Sequence, residues 1–188
     1  MARNIAAPGA FWGLDDAYRG PGHLIRRLQQ IAVAIFMDEF KSLDITPVQY
    51  IALVAIRDRP GLEQQAIADL IAIDRSSTGR VMLFLEQRGL IARVTPDNNR
   101  RSKQAFATPA GLRLLLATAR LIARAEERIL QVLDDNEKRA FMAGLRKLVD
   151  INNALSRAPL RMPGKARNPF PPGTGQRRLR AGEQRVRE

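Results

Sequence analysis

Between Glu63 and Thr108 the hydrophobic period changes from that of a helix to that of a strand, with turn residues at each change, and few folds accommodate that order. In Glu63-Gln-Gln-Ala-Ile-Ala-Asp-Leu-Ile-Ala-Ile73, the residues Ala66, Ile67, Leu70 and Ile71 recur at helical spacing, which predicts a helix with one apolar face. Asp74 follows with the side chain of an N-cap, able to accept from an orphan backbone N–H of the next turn. It opens a second helix at Arg75-Ser-Ser-Thr-Gly-Arg80 with an inward stripe of Thr78, Val81, Met82 and Leu85, so that Arg75, Ser76, Ser77 and Arg80 stay near the exposed N-terminal end. Gly89 stops this helix. Leu90-Ile-Ala-Arg-Val-Thr95 and Lys103-Gln-Ala-Phe-Ala-Thr108 read as strands, joined by the turn-forming Pro96-Asp-Asn-Asn-Arg-Arg-Ser102. Two helices, a turn and a basic hairpin in this order describe a winged helix-turn-helix.

The residue types suit a polyanionic groove. A helix fits the major groove of B-DNA, where hydroxyls reach base edges and phosphates and an arginine grips guanine through two hydrogen bonds. Small polar residues at the helix start allow close approach. Arg100 and Arg101, on the hairpin beside that helix, point to a second contact with the backbone or the adjacent minor groove. DNA-binding residues are therefore expected at Arg75, Ser76, Ser77, Arg80, Arg100 and Arg101. Leu83 and Phe84 are expected to pack on a neighbouring element.

The same residues resemble the MarR family of bacterial transcription regulators. Ile73-Asp-Arg-Ser-Ser-Thr-Gly-Arg80, then Leu85-Glu-Gln-Arg-Gly-Leu-Ile91, Asn99-Arg-Arg-Ser102 and Thr108-Pro-Ala-Gly111 look like that family's recognition helix, wing and exit into the next helix. Upstream, Leu43-Asp-Ile-Thr-Pro-Val-Gln-Tyr50 is similar to the lead-in to its second helix, and the likeness extends over roughly residues 22 to 156. The chain departs from the pattern at Asn99, where the family usually has aspartate, and at Leu83 and Phe84, where polar or basic residues are commoner. The resemblance implies a homodimer on a palindromic double-stranded operator, acting as a repressor. It also implies a small-molecule pocket between the first, second and fifth helices and the reader, open to an aromatic acid or phenol. Such a pocket needs apolar walls and a cation or donor for the acid. On spacing, His23 and Arg26 supply the polar end and Tyr50 a wall or donor.

Composition agrees with a nucleic-acid partner and excludes several alternatives. Lys and Arg number 31 against 19 Asp and Glu, a net charge of +12. The excess is concentrated after Ser156, where nine basic residues meet two acidic ones. With no cysteine and one histidine, disulfides and thiol-based sensing are excluded and a transition-metal site has few ligands, so no metal or cofactor is expected. No phosphate loop or nucleophile elbow points to an enzyme. No apolar run approaches the roughly 20 residues that span a bilayer, and no secretory leader is evident, so a cytoplasmic protein without membrane contact is expected.

The flanks complete the expected architecture. Residues 1–21 form an N-terminal arm whose Phe11, Trp12, Leu14 and Tyr18 either pack on a partner or fray. His23 to Leu43 reads as a helix with two apolar stripes, and Thr46-Pro47 opens the next, up to Pro60-Gly61. Pro109 opens a long helix through Leu133, and Asp134-Asp135-Asn136 caps a last one, Glu137 to Leu155, with Phe141, Leu145, Leu148, Val149 and Ile151 inward. Residues 22–45 and 109–156 are thus assigned to helical dimerisation, 46–108 to the DNA-binding domain and 157–188 to a basic tail of disordered composition. The fold expected is mainly α with a small β-wing. The function expected is a ligand-responsive regulator; a ligand-independent architectural DNA- or RNA-binding protein is the alternative.

Overall fold

The computed structural model describes residues 13–96 and 102–162. Its elements, in order, are α1 (Leu14–Arg19), α2 (Pro21–Glu39), α3 (Pro47–Asp58), β1 (Leu62–Glu63), α4 (Gln64–Ile71), α5 (Arg75–Gln87), β2 (Ile91–Val94), β3 (Gln104–Ala107), α6 (Pro109–Leu130) and α7 (Asp135–Asn152), with a 3-10 turn at Asn153–Leu155. The winged helix-turn-helix spans α3 to β3, and α2, α6 and α7 flank it. Phe11, Trp12, Arg100, Arg101 and the C-terminal residues from Pro163 onward lie outside the described residues.

α2 begins at Pro21 rather than His23, because proline suits the first helical position, and ends at Glu39, with Phe40 closing its last turn. Of its two stripes, only the C-terminal half of one is buried. Phe36 and Phe40 stack at 3.8 Å and meet Tyr50 of α3 at 5.9 and 5.8 Å between ring centres, whereas Leu24, Ile25 and Ile31 are about half exposed. The other side of the helix end is tied to α6 by charge: Arg124 donates to Glu39 (2.8 Å) and Arg128 to Glu39 (2.6 Å) and Asp38 (2.7 Å). The Arg128 and Arg124 guanidiniums hold the Glu39 carboxyl below the usual carboxylate range. α3 starts on a capping box in which Thr46 accepts from the Gln49 N–H and Gln49 reaches back, and it buries Ala52, Leu53 and Ile56.

The sheet has three strands, not the two expected, in the order β1-β3-β2. Gly61, at φ +85°, turns the chain back and donates its N–H to the Ala105 carbonyl, which lets Leu62 and Glu63 pair with Ala105 and Gln104 before α4 starts. The sequence assigns Glu63 to the helix because a two-residue strand has no period of its own. Ile67, Ile71, Met82, Leu85, Leu90, Ile91 and Ala105 join the buried residues of α3 in one core under the reader.

α6 ends at Leu130, three residues short of expectation, and α7 starts on Asp134, whose side chain accepts from the Asn136 and Glu137 N–H groups. The residues expected to face inward on α7 divide: Phe141 and Leu145 are half-buried, whereas Leu148, Val149 and Ile151 are 57%, 55% and 71% exposed in the single chain. α7 buries no residue completely. Among the described residues, the C-terminal part of its apolar stripe is left uncovered.

The first turn of α6 passes close to the end of α5. Thr108 donates its N–H to the Leu90 carbonyl (3.0 Å) and its hydroxyl to the Gly89 carbonyl (2.6 Å), while the same hydroxyl accepts from the Gly111 N–H. A Cβ on Gly111 would lie 2.2 Å from the Leu90 carbonyl oxygen, and backbone there cannot withdraw without breaking the Thr108 bond. In an ordinary helix Gly→Ala is stabilising by about 1 kcal/mol. Here Gly111→Ala is expected to lower stability by about 1–3 kcal/mol, as overpacking does, which urea unfolding of variant and parent will show.

Candidate nucleic-acid interface

The N-terminal turn of α5 is built around one carboxylate. Asp74 caps the helix by accepting from the Ser77 N–H (2.9 Å), as its position predicts, and it also accepts from the Ser76 hydroxyl (2.6 Å). The Ser76 hydroxyl and the Ser77 N–H hold its carboxyl far below the usual carboxylate range, so it is ionised throughout the physiological range. Thr78 turns inward and is fully buried, its hydroxyl bonded back to the Asp74 carbonyl (3.0 Å). Arg75, Ser76 and Arg80 are exposed and Ser77 is half-buried, with the Arg80 guanidinium donating to the Ser77 hydroxyl (3.2 Å).

These four residues therefore come together on one helix end. The hydroxyls are not idle: Ser76 commits its proton to Asp74 and Ser77 accepts from Arg80, so each serine presents an oriented dipole rather than a rotor. Arg100 and Arg101, expected at the wing, lie outside the described residues. Leu83 does not pack on a neighbour as expected. It is 47% exposed and shares a stripe with Ser76 and Arg80, four and then three residues apart. Phe84 does pack, half-buried against the core with the Arg88 guanidinium 5.4 Å from its ring centre.

Several residues that place the reader carry no motif and escape sequence reasoning. Gln64 donates across the turn to the Arg75 carbonyl (2.9 Å), its amide resting over Gly79, where a Cβ would lie 2.9 Å from it and shift it. Arg93 of β2 pairs with Glu86 of α5 through Nε (2.8 Å) and its terminal nitrogen, which braces the wing against the reading helix. The signal was available: Glu86 and Arg93 stand on either side of the Gly89 turn, so the reversal of the chain brings them together. Arg88 donates to the carbonyls of Leu43 and Asp44, linking the end of α5 to the α2–α3 connection, where Asp44 adopts φ +46°. Between α4, α5 and the wing base lies a cleft of about 310 Å³ lined by Glu63, Gln64, Gln65, Arg75, Met82, Arg93, Ser102 and Lys103.

The three residues expected at a ligand pocket are not brought together within one chain. Tyr50 is half-buried against Phe36 and Phe40. His23 packs on Tyr18 (5.0 Å between ring centres) and the exposed Arg26 donates to Gln30 (3.0 Å). Arg26 and Phe36 are separated by about 15 Å along α2 at 1.5 Å per residue.

Comparison with known proteins agrees with this geometry. The MarR family pattern matches residues 45–103. The HTH-type transcriptional regulator YybA of Bacillus subtilis is 30% identical over 135 residues, 72% of this chain and 87% of its own. The PcaV transcriptional regulator of Streptomyces coelicolor superimposes with a TM-score of 0.64 at 30% identity, covering 72% of this chain and 98% of that one. BpsR of Bordetella bronchiseptica, whose DNA binding is regulated by 6-hydroxynicotinic acid, superimposes with a TM-score of 0.65 at 29% identity, covering 69% and 98%. The family and these relatives are regulators of transcription rather than enzymes. The resemblance carried by the recognition helix and wing is thereby borne out, and the chain belongs to the MarR family of transcriptional regulators.

Proposed function

We propose that this protein is a repressor that binds an inverted-repeat operator as a homodimer and is released by a small aromatic acid or phenol. The observation that carries the DNA reading is the capped N-terminal turn of α5, where Arg75, Ser76 and Arg80 are exposed together beside a braced wing. The dimer reading is supported by apolar side chains uncovered on the flanking helices: Leu116 of α6 is 78% exposed, alongside Leu148, Val149 and Ile151 of α7. In this reading a second copy of the chain covers that surface.

The effector reading draws on the relatives and on the aromatic cluster. Phe36, Phe40 and Tyr50 offer an apolar wall with one hydroxyl between α2 and α3. A cation for the acid has to come from elsewhere than the same chain's His23 or Arg26. In an antiparallel pairing of two α2 helices about a two-fold axis level with the half-exposed Ile31, each chain's Arg26 stands level with the other's Phe36 along the helix, five residues on either side of the axis. In this reading His23 and Arg26 serve the partner's pocket. Arg88 then gives the effector a route to the reader, because it ties α5 to the end of the helix that walls the pocket.

Two experiments test these readings. Arg80→Ala is expected to remove about 1–3 kcal/mol of base discrimination, seen as convergence of operator and scrambled-duplex affinities in titrations at fixed salt. A preference unchanged from wild type refutes the assignment, and sequence-indifferent binding by the wild type itself favours the architectural alternative. For the effector, a panel of benzoates, hydroxybenzoates, pyridine carboxylates and phenols is expected to contain a compound that lowers operator affinity. A ~100-fold drop requires about 2.7 kcal/mol of differential affinity, and operator DNA must weaken that compound's binding by the same factor in calorimetry. Arg26→Ala is expected to weaken the compound and leave operator affinity intact.

A further inference from the structure

Beyond α7 the chain does not leave the molecule but returns to the reader. Asn153 pinches the segment into a loop, its side chain accepting from the Leu160 N–H (2.8 Å) and donating to the Leu160 carbonyl (3.0 Å). The loop is then fixed on the helix-turn-helix at two points. Arg161 donates its backbone N–H to the Asp69 carbonyl of α4 (2.8 Å), and the Arg157 guanidinium pairs with the Asp74 carboxylate (3.1 Å). Arg157 remains 88% exposed in that pair, so only one edge of its guanidinium is occupied. Arg75, Arg157 and Arg161 line one open groove of about 230 Å³ beside the start of α5.

The electrostatics of this corner are otherwise adverse to DNA. Asp74 is indispensable as the cap, yet it places a permanent negative charge at the end of the helix that meets the phosphates. Arg157 answers that charge from outside the reader's own sequence. The residues from Pro163 to Glu188 add seven basic side chains against two acidic ones.

We propose that the loop from Ser156 to Met162 is a third DNA-contacting element, which sets Arg157 and Arg161 against backbone phosphates flanking the groove read by α5. It rests on the proposed role of α5 and adds to it a contact that strengthens binding without reading sequence. The Asn153 side chain and the Arg161 backbone N–H hold the loop independently of either guanidinium, and the Ser77 N–H bond that caps α5 does not pass through Arg157, so the alanine pair removes the Arg157 clasp on Asp74 but neither the loop's other anchors nor the cap bond itself.

The test uses the full chain. Wild type, the double variant Arg157→Ala with Arg161→Ala, and the double variant Arg157→Lys with Arg161→Lys are titrated on operator and scrambled duplexes over a series of salt concentrations. Each phosphate contact contributes roughly 0.9 to the slope of log affinity against log salt, so the alanine pair is expected to lower it by about 1.8 per bound chain. The loss is expected to be equal on both duplexes, and the lysine pair, which keeps the charge, is expected to restore the slope. An unchanged slope in the alanine pair overturns the proposal, as does a reduced slope that lysine does not rescue, since that marks a purely structural role. Arg80→Ala separates the two readings: if it abolishes sequence preference while the alanine pair leaves the slope intact, the reader stands and only the third element fails.

Discussion

The position of the reading helix depends on the close approach between the first turn of α6 and the Gly89–Leu90 turn at the end of α5. Gly89, at φ +65°, reverses the chain, and the Leu90 carbonyl then accepts from Thr108 while facing the bare Cα of Gly111. Leu53 of α3 packs on the same glycine. Through this contact α3, α5, the wing and the long helix that leads to the flanking bundle share one origin. Interiors this tightly packed do not deform smoothly, so the contact holds the start of α6 and the end of α5 in one fixed relation.

Charge is distributed around that frame with two different purposes. The Asp38 and Glu39 clamp on Arg124 and Arg128 joins α2 to α6 far from the reading surface, and the Glu86–Arg93 pair stiffens the wing base. Such pairs are worth little individually where they are solvated. Their value is in fixing relative orientation, one set joining α2 to α6 and the other α5 to β2. Around Asp74 the purpose differs: one carboxylate organises Ser76 and Ser77, and so sets how the start of α5 is presented.

Much of this was legible in the sequence because it is periodic or punctuated. The apolar stripe of α5, the cap at Asp74, the stop at Gly89 and the proline starts of α3 and α6 all follow from local rules and stand in the structure where those rules place them. What was not legible is non-local. The third strand depends on Gly61 turning Leu62 onto β3, which no period of two residues can announce. The exposed stripe of α7 looks inward from periodicity alone, since a pattern says which face is apolar but not what covers it, and Leu83, which lies off the inward stripe of α5 and is expected to pack on a neighbour, is half exposed instead. His23, Arg26 and Tyr50 were grouped by their chemistry on adjacent helices, and the length of α2 separates His23 and Arg26 from Tyr50, which lies against Phe36 and Phe40.

The central claim is that two copies of this chain present α5 to successive turns of one duplex. Hydroxyl-radical footprinting on DNA selected by the purified protein tests it most directly. Two protected patches related by two-fold symmetry, with centres about 10 bp or a multiple apart, are predicted. A single unsymmetrical patch on the selected DNA contradicts the account.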